Sequence, residues 1–126
     1  MAHVLIVGIG GFIGSVLRYW LTGIAQRWAQ DAFPVGTLLV NVLGCFAIGA
    51  FWELVEYREW FSPEARIFAT VGICGGFTTF SAFGYETFAL LHDREYLLAA
   101  ANIGANVIAG IAAVILGWMV AKALAV

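Results

Sequence analysis

Gly72-Ile73-Cys74-Gly75-Gly76-Phe77-Thr78-Thr79-Phe80-Ser81, glycines followed at once by hydroxyls, sits in the middle of an apolar stretch at residues 67–91. A stretch of that length crosses hydrocarbon as a helix, which takes about 20 residues. Yet glycine costs a helix interior about 1 kcal/mol relative to alanine, and hydroxyl side chains compete for its backbone hydrogen bonds. The expectation is a helix broken near the bilayer midplane. Backbone of that kind is tolerated at such depth only where protein buries it or a cavity passes it, and the half-helix ends then present carbonyls to cations and N–H groups to anions. The competing reading is a glycine-rich packing seam without a break.

Outward from this segment the chain is of one character. Of its 126 residues, 63% are hydrophobic and 11% charged, against roughly 45–50% and 25% in soluble domains. Three further apolar stretches, 4–24, 35–55 and 96–121, match 67–91 in length, and linkers at 26–34, 56–66 and 92–95 hold most of the charge. The predicted architecture is an all-α integral membrane protein of four spans in a single domain, 1–126. Span 1 starts near Met1 with no basic leader or small-residue cleavage site, so it reads as retained. A net charge of −2 leaves no basic footprint for nucleic acid. Cys45 and Cys74 fall inside spans without metal-ligand spacing and read as packing residues.

Four spans place both termini on one side. Arg58, Arg66 and Lys122 then sort to that side, and Arg18, Arg27 and Arg94 to the other. Orientation follows the excess of Lys and Arg in cytoplasmic loops, and here there is almost none. Insertion in both orientations, and an antiparallel homodimer, is the expectation.

The polar residues within spans are few. In span 1, Gly8-Ile9-Gly10-Gly11-Phe12-Ile13-Gly14 superficially matches a dinucleotide fingerprint, but no strand-and-helix alternation surrounds it. Gly10 and Gly14 are instead spaced to let helices approach closely. Arg18 costs about 2.5–3.5 kcal/mol inside a span, so it faces protein, water or an anion. In span 2, Thr37, Asn41 and Gly44 share a face. Asn41 either bonds a neighbouring helix or donates its amide to an anion. After the expected break, Phe80 and Phe83 stand three apart, followed by Glu86. Aromatic rings carry a positive edge, so the pair either only packs or, turned edge-on to a pathway, stabilises a small anion, and Glu86 is either a functional carboxylate within the span or one at its aqueous mouth. Asn102 and Asn106 point into the protein from span 4, as helix glue or as a polar track. Tyr57, Trp60, Tyr96 and Trp118 lie near span ends, where an aromatic belt belongs.

Taken together, Gly75-Gly76-Phe77-Thr78-Thr79-Phe80-Ser81-Ala82-Phe83 resembles the GGxTTFSTF signature of the Fluc (CrcB) fluoride channels. Arg18, Gly36-Thr37-Leu38-Leu39-Val40-Asn41 and the four short spans extend the likeness over essentially the whole chain. The resemblance implies an antiparallel, dual-topology homodimer in the cell membrane, with two fluoride pathways and a central structural sodium ion. The sodium ligands would be the backbone carbonyls of Gly75 and Thr78 from both subunits. Phe80 and Phe83 would form an aromatic box with Asn41 near it; Ser81, Thr37 and Glu86 would belong to the pathway, and Arg18 to its vestibule. The chain departs from the family at Ala82, Gly84 and Gly110, where hydroxyls are common.

Fluoride holds its water tightly, so a pathway must replace that hydration with amide, hydroxyl and aromatic-edge donors. A passive fluoride channel is therefore the leading reading, protecting the cell by letting the anion leave. Proton-coupled export of the small multidrug type is the alternative, but its working glutamate belongs to the first span, where this chain has Arg18. A non-transporting scaffold leaves the polar midplane unexplained. No nucleophile, base and orienting group assemble from Glu86, His3 and His92, so an enzyme is not expected.

Overall fold

The computed structural model describes residues 1–57 and 60–125, with the backbone alone for Glu56 and Tyr57. Arg58, one of the charges in the loop comparison, and Val126 lie outside the described residues, as does the side chain of Tyr57. Every regular element among the described residues is helical. Among the described residues, four segments are long and apolar enough to cross a membrane: Ala2–Ala29, Val35–Val55, Pro63–His92 and Tyr96–Leu124.

Spans 1 and 4 run past the apolar cores at 4–24 and 96–121, because Gln26, Arg27 and Lys122 are good helix formers that carry the backbone ladder onward. The first linker therefore shrinks. Gln26, expected in the loop, is helical and folds its side chain over it: Nε2 donates to the carbonyls of Asp31 (2.9 Å) and Phe33 (3.1 Å), and Oε1 accepts from the Gly36 N–H (3.3 Å). Span 2 is α-helical over Val35–Phe51 and widens into π-helical turns over Trp52–Tyr57.

Span 3 is assembled from pieces. Ser62 accepts from the Ala65 N–H (3.3 Å) and Pro63 takes the first helical position, a pairing that satisfies one orphan donor and removes another. The chain is α-helical over Pro63–Ile67, π-helical over Phe68–Cys74 and α-helical over Gly75–Phe77. Thr78 and Thr79 are extended, with φ −85°, ψ 158° and φ −150°, ψ 120°. Helix resumes over Phe80–His92, capped by Thr79 Oγ1 accepting from the Ala82 N–H (3.1 Å).

Those two extended residues redirect span 3. Its first half lies along span 1, its second half packs on span 4, and spans 2 and 4 form the most extensive pair. The first contact is backbone on backbone. A Cβ on Gly10 would stand 2.8 Å from the Phe68 carbonyl oxygen and 2.9 Å from Gly72 Cα, and one on Gly14 would strike the Ile73 carbonyl. The close glycine contact with span 1 and the two extended residues lie a few positions apart in span 3. Around the bundle, Val4, Ile9, Phe12, Phe88, Ile108 and Ile115 face outward, an apolar surface suited to lipid.

Trp118, placed by the sequence in the aromatic belt, has a different partner. Its Nε1 donates to Glu53 Oε2 (2.9 Å), and Glu53 is buried between spans 2 and 4. The Lys122 ammonium lies 4.9 Å from the centre of the same ring.

Candidate functional site

At the interruption the backbone groups are redistributed rather than abandoned. The Thr79 N–H, which a continuous helix would give to the Gly75 carbonyl, donates to Asn41 Oδ1 (2.8 Å). Asn41 Nδ2 returns a bond to the Thr79 carbonyl (3.1 Å), so one side chain of span 2 satisfies both ends of an extended residue. Arg18 Nε donates to the Gly76 carbonyl (3.0 Å), and Thr78 Oγ1 to that of Cys74 (3.0 Å). A guanidinium at the carboxyl end of the first half-helix meets the partial negative charge gathered there. Arg18, open in the sequence between vestibule and structural roles, is thereby engaged structurally while its side chain also borders a cleft.

That cleft, about 410 Å³, is bounded by Arg18 and Thr22 of span 1, Thr37 of span 2, and Thr79 and Glu86 of span 3. Thr37 Oγ1 donates to Glu86 Oε1 (2.6 Å). Among the described residues, Glu86 Oε2 and Thr22 Oγ1 are buried without a hydrogen-bond partner. Thr22 was not singled out in the sequence, although its position one helical turn after Arg18 places both on one face. A second cleft, about 290 Å³, lies beyond Thr79 and is bounded by Asn41, Thr78, Phe80, Phe83 and Asn106. Thr79 belongs to the walls of both.

Phe80 and Phe83 have ring centres 5.4 Å apart at 52°, so the rings touch each other as well as the cleft. Phe80 is 83% exposed on the isolated chain, and Ser81 is exposed beside it. Ser81 Oγ lies 3.4 Å from Thr79 Oγ1. Gly75 is exposed and Thr78 half-buried; both border a third, smaller cleft with Cys45 and Cys74. The two remaining candidates, Asn102 and Asn106, bond one another: Asn106 Nδ2 donates to the carbonyl and the Oδ1 of Asn102, each at 3.0 Å.

Comparison with known proteins matches residues 5–118 to the family described as CrcB-like protein, Camphor Resistance (CrcB). The chain belongs to the CrcB family. Curated CrcB relatives agree along nearly their full lengths. A protein of Methanosarcina barkeri named fluoride-specific ion channel FluC 3 is 47% identical over 124 residues, 96% of this chain and 91% of that protein. The fluoride-specific ion channel FluC of Pyrococcus furiosus is 46% identical over 122 residues, 97% and 98% of the two chains. The protein of the same name from Rhizobium etli is 46% identical over 125 residues, 99% and 100%. With four helices able to span a membrane, this CrcB chain is a multi-pass membrane protein, and membership in a family of channels means that it is not an enzyme.

Proposed function

We propose that the chain is a fluoride-specific channel of the cell membrane, releasing the anion from the cytoplasm down its electrochemical gradient. The observation that carries this reading is the pair of clefts meeting at Thr79, one with Arg18, Thr37 and Glu86 in its walls and the other with Asn41, Phe80 and Phe83. Arg18 brings positive charge to the first, where an arriving anion exchanges bulk water for fixed donors. In the second, the edges of Phe80 and Phe83 and the nearby Ser81 hydroxyl are the groups offered to a dehydrated ion. Both Asn41 Nδ2 hydrogens are committed, so an anion takes one only by displacing the Thr79 carbonyl or Asn106 Oδ1.

The working unit in this proposal is an antiparallel homodimer, inserted in both orientations, with two pathways. The exposure of Gly75, Phe80 and Ser81 on the isolated chain supports burial against a second copy. The interruption of span 3 would lie near the bilayer midplane. There the Gly75 and Thr78 carbonyls of both copies would hold a sodium ion. Backbone oxygens suit a hard cation, and diversion of the Thr79 N–H to Asn41 leaves the Gly75 carbonyl without its helical donor. The ion supplies fixed positive charge near the anion route.

Purified protein in fluoride-loaded liposomes tests the reading. With the membrane potential clamped, fluoride is expected to leave rapidly while chloride is retained, without need of a proton gradient. Absence of efflux, or efflux only with proton counterflow, removes the channel proposal. Phe80→Ile and Phe83→Ile are each expected to abolish flux in assembled protein, and undiminished flux would show that the rings only pack.

A further inference from the structure

The two asparagines of span 4 were open in the sequence between helix glue and a polar track. Followed bond by bond, they join a continuous chain that begins and ends on span 3. The Thr79 peptide is held by Asn41. Asn41 Nδ2 also donates to Asn106 Oδ1 (2.9 Å), and Asn106 Nδ2 donates to Asn102 Oδ1 and to the Asn102 carbonyl (3.0 Å each). Asn102, fully buried, donates through Nδ2 to Thr87 Oγ1 (3.0 Å), whose hydroxyl donates to the Phe83 carbonyl (2.7 Å).

The direction of each bond is determined by its neighbour. The Thr79 N–H can only donate, so Asn41 must turn its oxygen toward it and its nitrogen toward the Thr79 carbonyl and Asn106. Asn106 must then present its oxygen to Asn41 and its nitrogen to Asn102. An amide has two donors, and those of Asn41 and Asn106 are all used. A flip of either amide would set donor against donor inside an apolar bundle, where an unmade bond is costly. Meanwhile Phe80 and Phe83 lie between the two ends of the chain, at Thr79 and at the Phe83 carbonyl.

We propose that Asn106 and Asn102 are positioning residues of the pathway: a directional amide brace from span 4 that holds Asn41 in the orientation needed to keep Thr79 extended, and ties that residue to the turn bearing Phe83. The brace thereby sets the placement of the two rings relative to the interruption. Its bearing on transport rests on the proposed function; its bearing on Thr79 does not.

Amide hydrogen exchange of the dimer in nanodiscs, alongside liposome flux, tests this. Asn106→Leu removes the acceptor for Asn41 at similar volume. Exchange at Thr79 is expected to quicken about tenfold, as the loss of one buried hydrogen bond implies. Exchange in spans 1 and 2 should stay unchanged, and fluoride flux per dimer should fall by a similar factor. Asn106→Gln, at a position bordering the second cleft, keeps both an amide oxygen for Asn41 and an amide nitrogen for Asn102 and is expected to restore most of the protection. Should Asn106→Leu fail to assemble, Asn102→Ala, which cuts the brace one link further on, is read in the same way. Unchanged Thr79 exchange, loosening spread evenly over the bundle, or no recovery with Asn106→Gln would each overturn the brace. If the unmodified protein carries no fluoride, the proposed function fails, and the exchange measurement still decides the brace.

Discussion

Span 3 is held by opposite means on its two sides. Along its first half, span 1 meets it through glycines, backbone against backbone, at Gly10, Gly14 and Gly72. Along its second half, spans 2 and 4 hold it through side-chain amides and a threonine hydroxyl, from Asn41 to Thr87. Between helices in lipid there is little hydrophobic driving force, so close packing and hydrogen bonds are the two available sources of cohesion. The first gives rigidity without exposing a polar group. The second gives direction, which is what an interrupted backbone requires.

Substitutions break the two sides differently. Gly14→Val is expected to have the largest effect, because its Cβ would also stand 2.8 Å from the Phe77 nitrogen and backbone cannot yield as a side chain does. Overpacking of this kind costs about 3 kcal/mol, and thermal melting in detergent should show loss of the folded bundle; a melting point within a degree or two of the parent would disprove the close seam. Asn41→Leu should come next. It leaves the Thr79 N–H and carbonyl unpaired at about 1–3 kcal/mol, so flux is expected to drop at least about tenfold while the protein still assembles. Equal flux would place the control of the interruption elsewhere. Trp118→Phe removes a bond remote from both clefts. It should lower stability by about 0.6–2 kcal/mol and leave flux unaltered, which liposome efflux and a melt measured together would check.

Much of this was legible one residue at a time. Periodicity is not needed to find spans in a chain this apolar, and Gly75, Gly76, Thr78 and Thr79 mark the place where helix propensity fails. Arg18, Asn41 and Glu86 stand out because polar groups in hydrocarbon demand partners. Less visible were groups whose importance lies in the partner. Glu53 was not singled out in the sequence, because its partner, the indole of Trp118, lies 65 positions later. Gln26 reads as loop until its amide is seen to order that loop. Thr22 is one hydroxyl among several until its burial without a partner is known.

The amino-acid sequence by itself determined that the chain has four segments long and apolar enough to cross a membrane, that helix propensity drops in the third between Gly72 and Ser81, and which polar residues must find partners within the bundle. These follow from local composition: hydrocarbon excludes unpaired polar groups, and glycine and hydroxyls weaken a helix wherever they occur. Only the tertiary structure decided which partners they find. That Arg18 takes the Gly76 carbonyl, that Asn41 takes both ends of Thr79, and that Asn102 and Asn106 complete a chain to Phe83 depend on how four helices lie against one another. Hydrogen bonds act over about 3 Å, and the sequence alone does not reveal which residues 38 to 65 positions apart come within that reach.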